Sequence, residues 1–220
     1  GAVATKTYVD DIFSTFLYTG NGSARSINNG VDLSGQGGLT WIKERSATGD
    51  HWLFDTANGA DWAVRSNLTS AKYNTGSAFM SAFNNNGFSL GTNGNINDAS
   101  DTYSSWSFRK APGFFDIVTW TGNGSNRTIA HSLGSVPGMI MVKCTSITAY
   151  WWVYHRDSGA TKVLYLNDTS AAATNSAIWN DTEPTSTNFS LGTGEGVNKN
   201  GETYVAYVFA GGESTAATAR

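Results

Sequence analysis

The chain has 220 residues with 8 Trp, 9 Tyr and 11 Phe, is 40% hydrophobic but only 14% charged, and carries a formal net charge of -3. That aromatic load excludes a disordered chain, and 25 Gly with so few charges excludes a long helical bundle or coiled coil. The 14 basic residues are scattered, which sets nucleic acid aside, and no apolar run approaches the ~20 residues needed to cross a bilayer as a helix.

In chain order, residues 1–16 read as a lead-in without the basic-then-apolar pattern of a signal peptide. Tyr8, Val9, Ile12, Phe13 and Phe16 fall at helical spacing with Thr7 as a possible N-cap, so the segment is either a short helix or a strand lead-in. Beyond it the pattern has a period of two. Leu39 to Arg45, His51 to Thr56 and Tyr103 to Phe108 read as strands, with turn signals at Gly20-Asn-Gly22, Asn84 to Gly87 and Asn93-Gly94.

The same order then returns. Tyr18 to Ile27 recurs as Trp120 to Ile129 with seven identities in ten, at an offset of 102 residues. Gly38 to Ala71 matches Gly138 to Ala171 without a gap at an offset of 100, and Phe88-Ser-Leu-Gly-Thr92 returns as Phe189-Ser-Leu-Gly-Thr193. The second set of strands is therefore Met139 to Thr145, Trp151 to Arg156 and Tyr204 to Phe209. A repeat this long denotes domain-sized modules rather than solenoid turns. Short strands with Gly/Asn turns predict an all-β chain of two tandem homologous β-sandwich, jelly-roll-like units of roughly six to eight strands each. The expected division is a lead-in over 1–16, unit 1 over 17–111, unit 2 over 112–210 and a flexible tail or linker over 211–220.

The repeat also sorts the chemistry. Glu44, Asp50, Asp55 and Asp61 could supply a glycosidase carboxylate pair, but their counterparts are Cys144, Tyr150, His155 and Thr161, so no catalytic residue is assigned and a non-enzymatic protein is expected. His51, His131 and His155 lack metal-ligand spacing, the lone Cys144 reads as an inert thiol in a strand, and neither a metal nor a cofactor is expected. Trp52 and Trp152 are equivalent and read as core; Trp41 with Met141, and Trp106 with Tyr207, suit large buried side chains. Trp62 aligns with Lys162 and Trp151 with His51, while Trp179 lies in a loop segment whose counterpart is poorly aligned, which leaves the three either stacking platforms for a sugar ring or contacts at a unit or subunit interface. Asp61, Arg65, Tyr150 and His155 are the polar groups expected to accompany them.

These blocks resemble a known family. Tyr-Thr-Gly-Asn-Gly-Ser at a unit start, Gly38-Leu-Thr-Trp-Ile-Lys-Glu-Arg-Ser46, Trp52-Leu-Phe-Asp-Thr56 followed by Gly59-Ala60, Gly87-Phe-Ser-Leu-Gly91, His131 to Gly138, Trp152-Val-Tyr-His155 and Thr203-Tyr-Val-Ala-Tyr207 are similar to a repeated module of phage structural proteins, mostly of marine and cyanobacterial viruses. Ala4-Thr-Lys-Thr-Tyr-Val-Asp10 resembles a short segment that precedes the distal domains of many tail fibres. Asn58 departs from the pattern, since such modules often carry Arg there. The resemblance implies a virion protein assembled in a bacterial cytoplasm, a tail-fibre or appendage domain that meets a host-surface glycan or lipopolysaccharide. It further implies a homo-oligomer, usually a trimer, that contacts other virion proteins. The alternatives are a purely structural capsid decoration, head fibre or spacer, and a polysaccharide depolymerase.

Overall fold

A computed structural model describes residues 7–212; the Ala4 to Lys6 part of the tail-fibre-like segment and the tail beyond residue 212 lie outside them. The chain forms two tandem β-sandwich units. By their internal contacts one unit comprises residues 7–63 and 74–114, the other residues 64–73 and 115–212.

The first unit opens with a single helical turn, α1 (Val9–Ile12), in which the Asp11 carboxylate accepts from the Tyr8 N–H at 2.9 Å and Ile12 is fully buried. The helical spacing goes no further. Phe13 and Phe16, expected on the same helix or lead-in, lie in β1 (Phe13–Thr19), which is hydrogen-bonded along its length to the strand that closes the unit. There follow β2 (Arg25–Asn28), α2 (Leu33–Gln36), β3 (Gly38–Glu44), β4 (His51–Asp55), β5 (Trp62–Arg65), β6 (Tyr73–Asn74), a 3-10 turn (Gly76–Ala78), β7 (Met80–Asn84), β8 (Gly87–Leu90), α3 (Gly94–Asn97) and β9 (Thr102–Arg109). The strands make a six-stranded sheet in the order β1-β9-β3-β4-β5-β6 and a three-stranded sheet β2-β8-β7.

The second unit repeats this plan with β10 (Phe115–Thr121), β11 (Arg127–Ala130), β12 (Pro137–Cys144), β13 (Trp151–His155), β14 (Lys162–Tyr165), β15 (Ala173–Thr174), α4 (Ser176–Trp179), β16 (Asn188–Leu191), α5 (Glu195–Asn198) and β17 (Thr203–Ala210). Its sheets are β10-β17-β12-β13-β14-β15 and β11-β16.

Alternation decides what each sheet buries. Ile42, Trp52, Phe54 and Tyr103 point inward and meet Ile27, Met80, Phe88 and Leu90 from the small sheet, forming the first core. Ile140, Val142, Tyr154 and Ala206 meet Ile129, Phe189 and Leu191 in the second. Trp52 lies in its core as expected, whereas Trp152 is only partly buried.

Both units are locked by the same polar device. The Tyr18 ring stacks on Tyr103 (5.1 Å, 16°) and its Oη donates to the Ile96 carbonyl at 2.7 Å; Trp120 stacks on Tyr204 (5.4 Å, 11°) and its indole donates to the Val197 carbonyl at 2.9 Å. Asn97 is fully buried, donating to the Ser23 and Gly91 carbonyls at 2.8 Å each and accepting from the Asn21 N–H. Asn198 repeats this with Ser125, Gly192 and Asn123. The chain passes so close here that a Cβ on Gly20 would lie 2.0 Å from the Asp98 carbonyl oxygen, and one on Gly122 2.1 Å from that of Lys199. The Gly-Asn-Gly sequences are therefore loop-packing elements as well as turns.

Candidate functional site

The expected site residues do not converge. Trp151 and Trp179 are buried and have no face open for stacking, which corrects the expectation that they form a platform. Trp179 ends α4 and packs edge-on against Tyr154 at 6.0 Å. Ser176-Ala-Ile-Trp179 repeats Ser77-Ala-Phe-Met80, since the Gly192 N–H donates to the Ile178 carbonyl as the Gly91 N–H does to that of Phe79, so Trp179 takes the place of the fully buried Met80 and is a core residue. Trp151 tilts against Tyr207 at 6.0 Å and donates its indole N–H to the Arg65 carbonyl at 2.9 Å. The Arg65 guanidinium is turned to its own loop, donating to Ser70 Oγ at 2.9 Å and lying 5.8 Å from the Tyr73 ring centre.

Trp62 and Asp61 belong to the first unit, where Trp62 is half-buried in β5, Asp61 is exposed, and the Asp61 carbonyl accepts from the Thr75 N–H. His155 sits at the end of β13, its Nδ1 3.8 Å from the Asp157 carboxylate. Of the expected acids, Asp55 is consumed by its own turn: its carboxylate accepts from the main-chain N–H groups of Ala57 and Asn58 and from the Asn58 amide. Cys144 is fully buried against the Thr203 carbonyl. No group of three His, Cys, Asp or Glu able to hold a metal occurs among the described residues.

Tyr150 is the expected aromatic residue that stands open. It is 44% exposed and forms a cluster with Trp152 (6.4 Å, 88°) and Tyr165 (5.6 Å, 69°), which themselves lie 5.0 Å apart. Trp152 and Tyr165 are cross-strand partners on β13 and β14, and Tyr150 immediately precedes β13. The first unit has Asp50, a buried Trp52 and Arg65 at these positions, so the three-ring cluster is peculiar to the second. Trp152 and Tyr165 were not expected here because each looks like an ordinary inward strand residue. The signal was their neighbour, since a Tyr beside an inward Trp widens the aromatic surface to the sheet margin.

A second aromatic group lies on the outer face of the first unit's large sheet. Trp41, His51, Trp106 and Phe108 line a cavity of about 240 Å³. Trp41 and Trp106 are directly opposed on β3 and β9 and meet edge to face at 6.1 Å. The Trp41 indole donates to His51 Nδ1 at 2.9 Å, which leaves the imidazole proton on Nε2. Burial and the nearby Lys43 charge lower the His51 pKa, so the ring is neutral at neutral pH. Trp41 and Trp106 were expected to be buried like their counterparts. Both are instead half-buried: they alternate with Ile42 and Ser105 and so point away from the core, onto an outer face that stays partly open.

The equivalent outer face of the second unit is covered. Ile117, Tyr207, Met141 and Val153 form one cross-strand row, all buried, and beside it Lys143 and Trp151 are fully buried. The loop over residues 64–73, part of this unit, closes the corner. Lys143 Nζ donates to the Thr69 carbonyl at 2.9 Å and to the Ala149 carbonyl at 2.7 Å, the Ala149 N–H donates to the Thr69 carbonyl, and the Lys72 N–H donates to the Thr145 carbonyl.

Burial pushes the Lys143 pKa down to about 8. Between that value and the ~10.4 of an unfolded lysine, the unfolded chain binds more protons than the folded one. Stability should therefore rise as pH increases from 8 to 10, by about 1–2 kcal/mol. Above pH 10 the trend reverses, because Tyr18, Tyr154 and Tyr204 are held neutral by burial while unfolded tyrosines ionise. Urea midpoints across this range should show the rise in the native protein and none in Lys143→Met; an equal rise in both would remove Lys143 as its source.

No curated protein and no solved structure matches the chain. One family model covers it from residue 9 to residue 216, across both copies of the repeat. The duplicated pair is thus itself the unit that the family shares, and the chain belongs to the family described as a domain of unknown function, DUF7483.

Proposed function

We propose that the protein is a non-enzymatic virion component of a phage, a tail-fibre or appendage domain that binds a host-surface glycan through Tyr150, Trp152 and Tyr165. The observation that carries this reading is the three-ring cluster in the second unit, with Tyr150 exposed and Trp152 and Tyr165 partly buried beneath it, which the first unit does without. A pyranose has one face of axial C–H groups that rests on an aromatic ring. Edge-to-face packing holds these rings in place before a ligand arrives, so little side-chain entropy is lost on binding. The resemblance to phage structural modules supports the virion location, and with it an oligomer, usually a trimer, that touches other virion proteins.

The test is binding of the whole chain to an array of bacterial surface glycans and lipopolysaccharides. Tyr150→Ala should weaken binding about 10-fold or more, the loss expected for one largely apolar ring contact. The melting temperature should barely move, because the side chain is 44% exposed. Binding untouched by Tyr150→Ala and Tyr165→Ala, or no binding to any host glycan, would overturn the reading. Release of reducing ends from a bound polysaccharide would favour the depolymerase instead. The structural-spacer reading is favoured by a separate observation, the open aromatic face of the first unit, whose lining is almost wholly carbon and offers sugar hydroxyls few partners.

A further inference from the structure

The open face of the first unit and the covered face of the second are the same surface at the level of sequence position. Trp41, Lys43 and His51 occupy the places of Met141, Lys143 and Trp151, and Trp106 that of Tyr207. In the second unit this corner is capped by the loop over residues 64–73. The repeat supplies another loop of the same kind over residues 164–173. Asn67-Leu-Thr-Ser-Ala71 and Asn167-Asp-Thr-Ser-Ala171 share four residues of five, and both loops run from the end of the fifth strand of their repeat to the start of the sixth. Their environments differ. Leu68 to Lys72 are partly buried, whereas Thr169 to Ala172 are exposed and Leu166 is an exposed large apolar side chain.

We infer that the outer face of the first unit, around Trp41, His51 and Trp106, is the docking site for the loop over residues 164–173 of a second copy of this chain. The donors and acceptors match group by group. The Trp151 indole N–H donates to the Arg65 carbonyl; His51, with its proton on Nε2, stands at the equivalent sequence position, and the equivalent acceptor is the Tyr165 carbonyl. The Ala149 N–H and Lys143 Nζ both donate to the Thr69 carbonyl, and the Gly49 N–H and Lys43 Nζ would do so to that of Thr169. The Lys72 N–H donates to the Thr145 carbonyl, for which the counterparts are Ala172 and Arg45. Lys43 donates to its own turn at Glu44 and Ala47 in the single chain, and must swing out to take the loop. Leu166 and the exposed Leu17 of β1 supply the apolar contact at the margin. Donor and acceptor are different surfaces, so the contact is heterologous: copies join head to tail, into a closed ring or an open filament according to the rotation per step. The docking contact uses the Tyr165 main-chain carbonyl and the proposed glycan contact its ring, so self-association is measured without glycan and its outcome is separate from that of glycan binding.

The experiment is sedimentation velocity on the whole chain from about 1 μM to 1 mM, a range that spans the weak affinities expected of one loop in one groove. The native protein should gain mass with concentration. An acceptor variant, Trp106→Glu, and a donor variant, Leu166→Asp with Ala171→Glu, should each stay monomeric at matched melting temperatures. Mixed one to one they should form a dimer and nothing larger, because one sound acceptor and one sound donor remain per pair. As a check that does not disturb the groove, Arg45→Cys with Ala172→Cys should yield disulfide-linked oligomers under oxidation, Cys144 being buried. A native protein monomeric throughout, mixed variants that stay monomeric, or a double-cysteine chain that never cross-links would each overturn the proposal.

Discussion

Asn198→Asp should destabilise the second unit by about 4 kcal/mol although it changes a single atom. The native amide is buried, donates to the Ser125 carbonyl at 2.7 Å and to that of Gly192 at 2.9 Å, and accepts from the Asn123 N–H at 3.1 Å. An ionised carboxylate keeps only the last of these. It leaves two buried carbonyls without donors, at about 1–3 kcal/mol each, and turns a charged acceptor towards both. The new carboxyl should protonate well above the usual range, since its neutral form can return one hydrogen bond. Part of the loss should therefore be recovered as pH falls towards 5, the reverse of ordinary acid denaturation. Asn97→Asp should do the same to the first unit, where the Ser23, Gly91 and Asn21 partners are equivalent. Guanidinium unfolding of both variants at two pH values is the measurement. A loss below about 1 kcal/mol would mean that water or movement satisfies the loops, and that the amide does not hold them.

The second large effect separates two positions that the repeat makes equivalent. Trp151→Ala should cost about 3–5 kcal/mol, the range for removing a fully buried aromatic, and should lower the melting temperature by ~10 °C in a chain of this size. The loss includes the Arg65 carbonyl, which the indole N–H no longer meets. Trp151→Phe keeps most of the packing and should cost markedly less. His51→Ala, the same place in the first unit, removes a half-buried ring and should cost ~1 kcal/mol or less. Calorimetry on the three variants decides the matter. Equal shifts at positions 51 and 151 would show that the two outer faces are not covered differently. A Trp151→Ala protein that folds normally would return Trp151 to the surface aromatics from which its burial removed it.

Much of this architecture was legible from residue order. The strands around Ile42, Trp52 and Tyr103, and their repeats around Val142, Trp152 and Tyr204, follow from a period of two, which fixes secondary structure through backbone geometry alone. The Gly-Asn-Gly turns were recognisable, but not their close approach to residues 97–98 and 198–199, which lie some 75 residues away in the chain. The helical reading of Tyr8 to Phe16 yielded one turn because the chain from Phe13 onward pairs with β9 residue by residue and is extended there. Trp179 looked surplus because its counterpart, Met80, opens a strand in one unit while Trp179 ends a helical turn in the other, so alignment hides a shared core position.

The sequence by itself determined the duplication, the all-β class, the main strands of each unit and the pairs of loops that recur. It could not determine which outer face is covered. Parity assigns Trp41 and Trp106, like Met141 and Tyr207, to an outer face, and alternation carries no information about what lies beyond that face. Only the tertiary structure decided this, by grouping residues 64–73 with the second unit, although the repeat assigns them to the first. Burial is a property of neighbours in space, so equivalent sequence positions became core in one unit and an open aromatic groove in the other.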